Sequence, residues 1–282
     1  MLVITGANGQ LGSRIVERLL ERIPADRVAA SVRDVDGAGH LAARGVRVRH
    51  GDFTDPASLA AAFEGAAQVV VVSPDVLGDE GIALSTAAID AAYRAGADRV
   101  LYTGHQAASL DSAFAPARDH GAVEAYLEKG GRPWTSLRNG YYTSSLQFHL
   151  GDAARTGELV TPADGPVSWT ARADLAEAAA AIVAGEATFD GPTPPLTAGQ
   201  AVDLDQVAAI LAEVSGRAVR RVVVDDAAFL SRLVEGGMPE QYARLFLGSY
   251  EASRNGEFAV TDPALGKLIG REPQTVRAAL QV

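Results

Sequence analysis

The sequence predicts an α/β fold: a doubly wound parallel sheet followed by a smaller α-rich C-terminal unit. Three observations predict it. Short apolar runs alternate with longer segments of helical period through the first half, and a glycine-rich turn separates the first run from the first helix. After about residue 150 the alternation gives way to short pieces broken by proline and glycine. Leu2–Thr5 reads as a buried first strand. Ile15, Val16, Leu19, Leu20 and Ile23 then recur at helical spacing until Pro24 stops the pattern. Further strands are predicted at Val28–Val32, 46–50, 68–72 and 99–103, with helices at 41–44, 57–63 and 82–94 between them, and right-handed crossovers wind these into one sheet. A helix over 119–129, stopped by Gly130-Gly131, leads to a sixth strand at 134–138 and the loop Asn139-Gly140-Tyr141-Tyr142.

In the second half Pro162, Gly165, Pro166, Gly191, Pro192, Pro194 and Pro195 break the chain around an alanine-rich helix at 173–184. Asp203 followed by Gln206 starts a helix to Val214 in the manner of a capping box, and 227–234 and 240–247 read as further helix. Residues 1–150 are expected to form a dinucleotide-binding domain. Residues 151–282 are expected to form mainly a substrate lid, with some segments returning to the sheet.

The 282 residues are 48% hydrophobic and 21% charged, enough for a substantial core and unlike a disordered chain. The net charge of −10 repels phosphate backbones and anionic lipid surfaces, so neither a nucleic acid nor a membrane is an expected partner. Without cysteine there is no disulfide, thiolate catalysis or cysteine-ligated metal centre. No secretory signal or spanning segment is read, so the expected location is cytoplasmic.

The run Thr5-Gly6-Ala7-Asn8-Gly9-Gln10-Leu11-Gly12 lies between the first strand and first helix, where backbone N–H groups and the positive helix end cradle a pyrophosphate. Gly6 permits the tight turn, Gly9 admits the phosphates close to the main chain, and Gly12 lets the helix pack closely. The Lys and Ser/Thr of a triphosphate-binding loop are missing, which argues against a nucleoside triphosphatase. Arg33 stands about twenty residues beyond the glycines, where an arginine takes the 2′-phosphate of NADPH and an acidic residue takes the 2′-hydroxyl of NADH. NADPH is favoured, although Asp34 follows directly and keeps NADH open, and a solvated surface charge is the plainer reading of Arg33. Asp52 and Phe53 suit an adenine, one by hydrogen bonding and one by packing, with Phe53 equally suited to the core.

The loop, Val32-Arg33-Asp34, Gly51-Asp52-Phe53-Thr54-Asp55 and Leu137-Arg138-Asn139-Gly140-Tyr141 together resemble atypical short-chain dehydrogenases. Within these the likeness is to the NmrA-like branch and its flavin-free bacterial NAD(P)H:quinone oxidoreductases, and it runs from Met1 through the segment between Asp262 and Gly270. It implies a Rossmann-type domain, a small C-terminal domain and a substrate cleft between them over the nicotinamide. It also implies that Gly6, Asn8, Gly9, Gln10, Leu11 and Gly12 bind the pyrophosphate, Arg33 the 2′-phosphate, and Asp52 and Phe53 the adenine. Val72 and Ser73 would meet the adjoining ribose and pyrophosphate, Thr103 the nicotinamide side, and Asn139 and Tyr141 the nicotinamide end of the cleft. No flavin and no metal are expected, and a homodimer is left open.

One departure matters chemically. Short-chain dehydrogenases that reduce ketones pair a Tyr with a Lys four residues later, the Lys lowering the Tyr pKa. The corresponding positions here are Pro116 and His120, and Tyr126 and Lys129 are three apart. Reduction of an ordinary ketone through a tyrosine acid is therefore not expected. A quinone needs less acid assistance because the anion left by hydride addition is delocalised. The expected reaction is direct hydride transfer from nicotinamide C4 to a quinone or a polycyclic, quinone-like aromatic, with His120 or a water giving the proton. A capped surface histidine is the plainer reading of His120. His105 and Gln106, placed directly after the fifth strand, are further candidates, because ligands of open parallel sheets bind there. Tyr142 and His149 join Gln106 as candidate substrate residues. Trp134, Trp169 and Phe148 can stack on a planar substrate or fill the core.

Two other functions fit the same residues. A reduced aromatic in a closed pocket can pass electrons to O2, which would make the chain a flavin-free NAD(P)H-dependent monooxygenase tailoring an aromatic polyketide. A dinucleotide-sensing regulator without turnover would also lack the Tyr and Lys. The C-terminal half supplies enough chain for a substrate lid, which favours an enzyme.

Overall fold

The computed structural model describes residues 1–281. β1 (Leu2–Thr5), α1 (Gly12–Leu19), β2 (Val28–Val32), α2 (Gly39–Ala42), β3 (Arg47–His50), α3 (Pro56–Ala62), β4 (Gln68–Val71), α4 (Gly78–Arg94), β5 (Arg99–His105), α5 (Ala115–Gly130) and β6 (Trp134–Asn139) build the first half. α6 (Leu146–Leu150), α7 (Ala153–Thr156), β7 (Glu158–Pro162), α8 (Arg172–Val183), β8 (Gly191–Pro192), α9 (Leu204–Ser215), β9 (Arg220–Val224), α10 (Asp226–Glu235), α11 (Glu240–Arg254), α12 (Ala264–Ile269) and α13 (Val276–Leu280) follow. Seven strands form one parallel sheet in the order β3-β2-β1-β4-β5-β6-β8, a Rossmann-like arrangement. The order reverses between β1 and β4, which opens a crevice at the carboxyl ends of these strands.

Both faces of the central strands β1, β2 and β4 are covered, which explains why these read as nearly unbroken apolar runs. Neighbouring residues point to opposite layers. Ile4, Ala30 and Leu101 pack with Ile15, Val16 and Leu19 of α1 and with α8. Val3, Ala29 and Val100 pack with Leu59, Ile89 and Val123 from α3, α4 and α5. Small residues of α8, including Ala176, Ala179 and Ala180, are fully or nearly fully buried beside α1, and Leu265 and Ile269 of α12 join the same layer. Helix α8 and strand β8 therefore belong to the sheet unit although they come from the second half of the chain.

The remaining C-terminal segments gather around an aromatic cluster of Phe114, Trp169, Phe229, Tyr250 and Phe258, with Val207 and Leu211 of α9. The predicted capping box closes at Asp203, which accepts from Gln206 N–H while the Gln206 side chain accepts from Asp203 N–H. Sequence patterning missed the parallel pair β7 and β9, whose partners lie far apart in the chain. It also missed β8, a two-residue edge strand containing a proline and too short to show a period. Strand β5 runs two residues past its predicted end because β6 keeps pairing with it as far as His105 and Asn139. Helix α5 starts at Ala115 rather than 119, with Pro116 in its first turn where a missing N–H costs little. Helix α1 ends at Leu19, and 20–23 continue as a turn in which Arg22 and Ile23 donate to Leu19 O. No helix among the described residues is long and apolar enough to cross a membrane.

Candidate active site

The glycine loop occupies the reversal point of the sheet. Gly6 has φ +57°, the left-handed region that suits glycine, and its carbonyl accepts from Gly9 N–H at 2.8 Å. A Cβ on Gly12 would lie 2.3 Å from that same carbonyl oxygen, so only glycine lets α1 begin this close to the turn. A Cβ on Gly9 would lie 3.1 Å from it. The ends of the loop are tied to neighbouring strands: Val72 N–H donates to Thr5 Oγ1 at 2.9 Å, and Asn8 Nδ2 donates to Asp34 O at 2.9 Å. Leu11 is buried beneath the start of α1, whose first turn carries no acidic residue. The positive end of a helix aimed across a turn where a side chain would collide is a place where an anion fits.

At the end of β2 the adjacent charges have different duties. Asp34 Oδ1 accepts from Gly37 N–H at 3.1 Å and so caps the following turn. Arg33 is exposed and makes no ion pair among the described residues. Asp52 accepts from the Thr54 N–H at 2.9 Å and from the Thr54 hydroxyl at 2.8 Å. These bonds, the backbone one foremost, hold its carboxyl below the usual range, and Arg33 and His50 add to the effect. Phe53 is half-buried against the α3 and α4 layer.

The carboxyl ends of β4, β5 and β6 bring together the other expected residues. Thr103 Oγ1 accepts from Ser73 N–H at 2.9 Å and donates to Ser73 Oγ at 3.2 Å, joining β5 to the segment after β4. Gln106 Oε1 accepts from Tyr141 N–H at 3.0 Å and from Ser168 Oγ at 3.1 Å. Asn139 Oδ1, Gln106 Nε2 and His105 Nε2 are buried without a partner among the described residues. Gly140 is required because a Cβ there would lie 2.2 Å from Thr170 Oγ1.

Three histidines share this region. His105, the last residue of β5, accepts from Ala107 N–H at its Nδ1 (3.1 Å), so its own proton resides on Nε2. Its ring lies 5.6 to 6.1 Å from Phe258, Phe114, Tyr141 and His120, stacked on the last. His120 is half-buried on α5, with Nδ1 2.7 Å from the Tyr102 hydroxyl, and is not the freely exposed surface histidine considered above. His149 lies deeper in the aromatic cluster, its Nδ1 3.0 Å from the Tyr250 hydroxyl. Burial holds His105, His120 and His149 at about 3, about 4 and about 3, with His105 further depressed by His120, and all three are neutral near pH 7. Burial also pushes Tyr141 up to about 12 and raises Tyr102 and Tyr250.

Other expected residues lie elsewhere. Trp134 begins β6 and so sits at the opposite end of that strand from the crevice, Phe148 is exposed, and Trp169 is core. Tyr142 turns toward the phosphate loop, where the Arg172 guanidinium lies 4.3 Å over its ring. Tyr126 is bonded to Asp90 at 2.6 Å and pairs with no lysine among the described residues. The sequence reading missed Arg172, which donates to Gln10 Oε1 at 2.7 Å, and Tyr102, which read only as a strand residue. Neither has a local sequence signature.

A protein-family model described as the NmrA-like family matches residues 1–277. The crystal structure of NADPH-dependent quinone oxidoreductase from Escherichia coli, in complex with NADPH, is similar over 99% of this chain and 98% of its own, with TM-score 0.93 and 32% identity. Triphenylmethane reductase of Citrobacter sp., in complex with NADP(H), matches over 100% of this chain and 99% of its own, with TM-score 0.90 and 34% identity. The NAD(P)H azoreductase of Xenophilus azovorans is 29% identical over 277 residues, 98% of this chain and 95% of that protein.

Proposed function

The chain belongs to the NmrA-like family and is an NAD(P)H-dependent oxidoreductase of the quinone, azo and dye reductase type, and we propose that its acceptor is a quinone or a polycyclic, quinone-like aromatic. The observation that carries this reading is the acid–base state of the crevice. Its histidines are held neutral and its tyrosines protonated, so no side chain there releases a proton readily near neutral pH. A simple ketone would leave a strongly basic alkoxide that requires such an acid. A quinone leaves a delocalised phenolate-type anion, which hydrogen-bond donors stabilise and water protonates.

NADPH, when bound, supplies the hydride from nicotinamide C4. The chain's part is to hold and orient. The Gly6 to Gly12 loop seats the diphosphate on the α1 end, and Arg33, free of a carboxylate partner, takes the 2′-phosphate while Asp34 is engaged in its turn. Asp52 and Phe53 flank the adenine, Val72 and Ser73 the adjoining ribose, and Thr103, Asn139 and Tyr141 the nicotinamide end. Tyr102 and His120 Nδ1 share a hydrogen bond of 2.7 Å, and with the phenol as donor the proton of neutral His120 lies on Nε2. His105 carries its proton on the same nitrogen. These two N–H groups stabilise the charge that develops on the acceptor oxygen, and Gln106 completes the acceptor side, backed by His149 in the aromatic cluster, while Tyr142 stands at its border with the phosphate loop. The aromatic cluster around Tyr141 and Phe258 limits water at that end.

The test is consumption of NADPH against quinones and matched simple ketones. Turnover confined to the quinones is expected; turnover of the ketones would refute the acid–base argument. Oxygen appearing in the product would favour the monooxygenase, and dinucleotide binding without any turnover would favour a sensor.

A further inference from the structure

Arg172 opens α8 and is anchored on three sides. Its Nη1 donates to Gln10 Oε1 at 2.7 Å, on the phosphate loop, and to Ser144 Oγ at 2.5 Å, on the segment that follows the acceptor-side loop. The guanidinium lies over the Tyr142 ring, which fixes its plane. All three neighbours are uncharged. While Arg49 donates to the carbonyls of Ala62 and Glu64, several other partly buried arginines pair with carboxylates: Arg138 with Glu124 at 2.6 Å, Arg221 with Asp164 at 2.6 Å, and Arg254 with Asp226 at 2.8 Å. Arg172 has no such partner among the described residues, and its Nε and Nη2 make no hydrogen bond there. That edge is the fork that receives an oxyanion with two parallel bonds. Burial draws its pKa below the ordinary value, with Arg14 adding to the effect, while Tyr142 and Asp75 oppose it without bonding to the guanidinium. A charge kept half-buried in a chain of net charge −10 without a carboxylate is poised for an external one.

We propose that Arg172 is an oxyanion seat at the junction of the phosphate loop and the acceptor crevice, taking either the diphosphate of the dinucleotide or a sulfonate or carboxylate on the aromatic acceptor. Gln10 and Ser144 aim the fork, and Tyr142 prevents it from turning. Only the dinucleotide source rests on the cofactor reading above.

The test uses the full chain with Arg172→Gln and Arg172→Lys. Ser144→Asp provides a second route, since it places a carboxylate beside the intact guanidinium and neutralises the seat without truncating it. Calorimetry gives the affinities for NADPH and NADH, and steady-state rates compare a sulfonated naphthoquinone with its unsulfonated parent. A diphosphate source predicts that both dinucleotides weaken equally, by about tenfold or more, in Arg172→Gln and Ser144→Asp. An acceptor source leaves both affinities in place and lowers the sulfonated-to-parent ratio of kcat/KM by a similar factor. Arg172→Lys, which keeps the charge but loses the fork, falls between wild type and Arg172→Gln in either arm. The seat is refuted if affinities and ratio all stay within about twofold of wild type in both Arg172→Gln and Ser144→Asp. A wild-type chain that binds neither dinucleotide would instead overturn the cofactor reading, and calorimetry of the sulfonated naphthoquinone against its parent, in wild type and Arg172→Gln, would then decide on the seat: equal affinities refute it.

Discussion

Acidification tests the charge state on which the proposed chemistry depends. In the folded chain His105, His120 and His149 sit at about 3, about 4 and about 3, against an ordinary value of 6.5. Because the folded values are depressed, the stabilisation is fully present above pH 6.5 and is lost as the pH falls toward the folded values. By about pH 5 the unfolded chain holds nearly three protons that the folded chain refuses. Each is worth about 1.4 kcal/mol per pH unit, a limiting slope of about 4 kcal/mol per unit for the three. Integrated from about pH 7 to pH 5, the loss is about 6 kcal/mol, comparable to the whole stability of many domains. Urea unfolding at a series of pH values reads this slope directly, and His149→Gln should remove about a third of it. A slope equivalent to fewer than one proton in that window would refute the neutral-histidine argument. So would a kcat that follows a group titrating near pH 6.5, because an imidazolium would then be available as an acid.

Arg33→Ala should weaken NADPH by about tenfold or more and leave NADH nearly unchanged, and equal losses measured by calorimetry would show that Arg33 does not meet the 2′-phosphate. In Gly12→Ala the new Cβ falls 2.3 Å from the Gly6 carbonyl, so affinity for both dinucleotides should collapse; retained binding in titrations would place the cofactor elsewhere. Tyr102→Phe removes the hydroxyl that sets the His120 tautomer, so kcat with a quinone should fall about fivefold at unchanged NADPH affinity, with the tautomer shift visible by nitrogen NMR. Arg221→Met strands the Asp164 carboxylate, 4% exposed and bonded to Leu204 N–H, and should cost about 3–5 kcal/mol in chemical denaturation; adding Asp164→Asn should recover part of that loss.

The parallel sheet, its first five crossings and the glycine loop were legible because each is written in local pattern. Apolar runs of strand length record burial on both faces, the glycine spacing records a left-handed φ at Gly6 and close approaches at Gly9 and Gly12, and Asp203 with Gln206 writes its own cap. Arg33 was legible by its position after β2, but its freedom from Asp34 was not, since that depends on the turn Asp34 closes with Gly37. Trp134 shows the limit of reading aromatics by type, because strand direction placed it at the wrong end of the sheet. The sequence by itself determined the parallel sheet and the glycine loop at its reversal point. Tertiary structure decided the rest: that β7 pairs with β9, that three histidines stay neutral, and that Arg172 meets a loop residue 162 positions away. Desolvation and long-range pairing are properties of what surrounds a side chain, and no local run of residues encodes its surroundings.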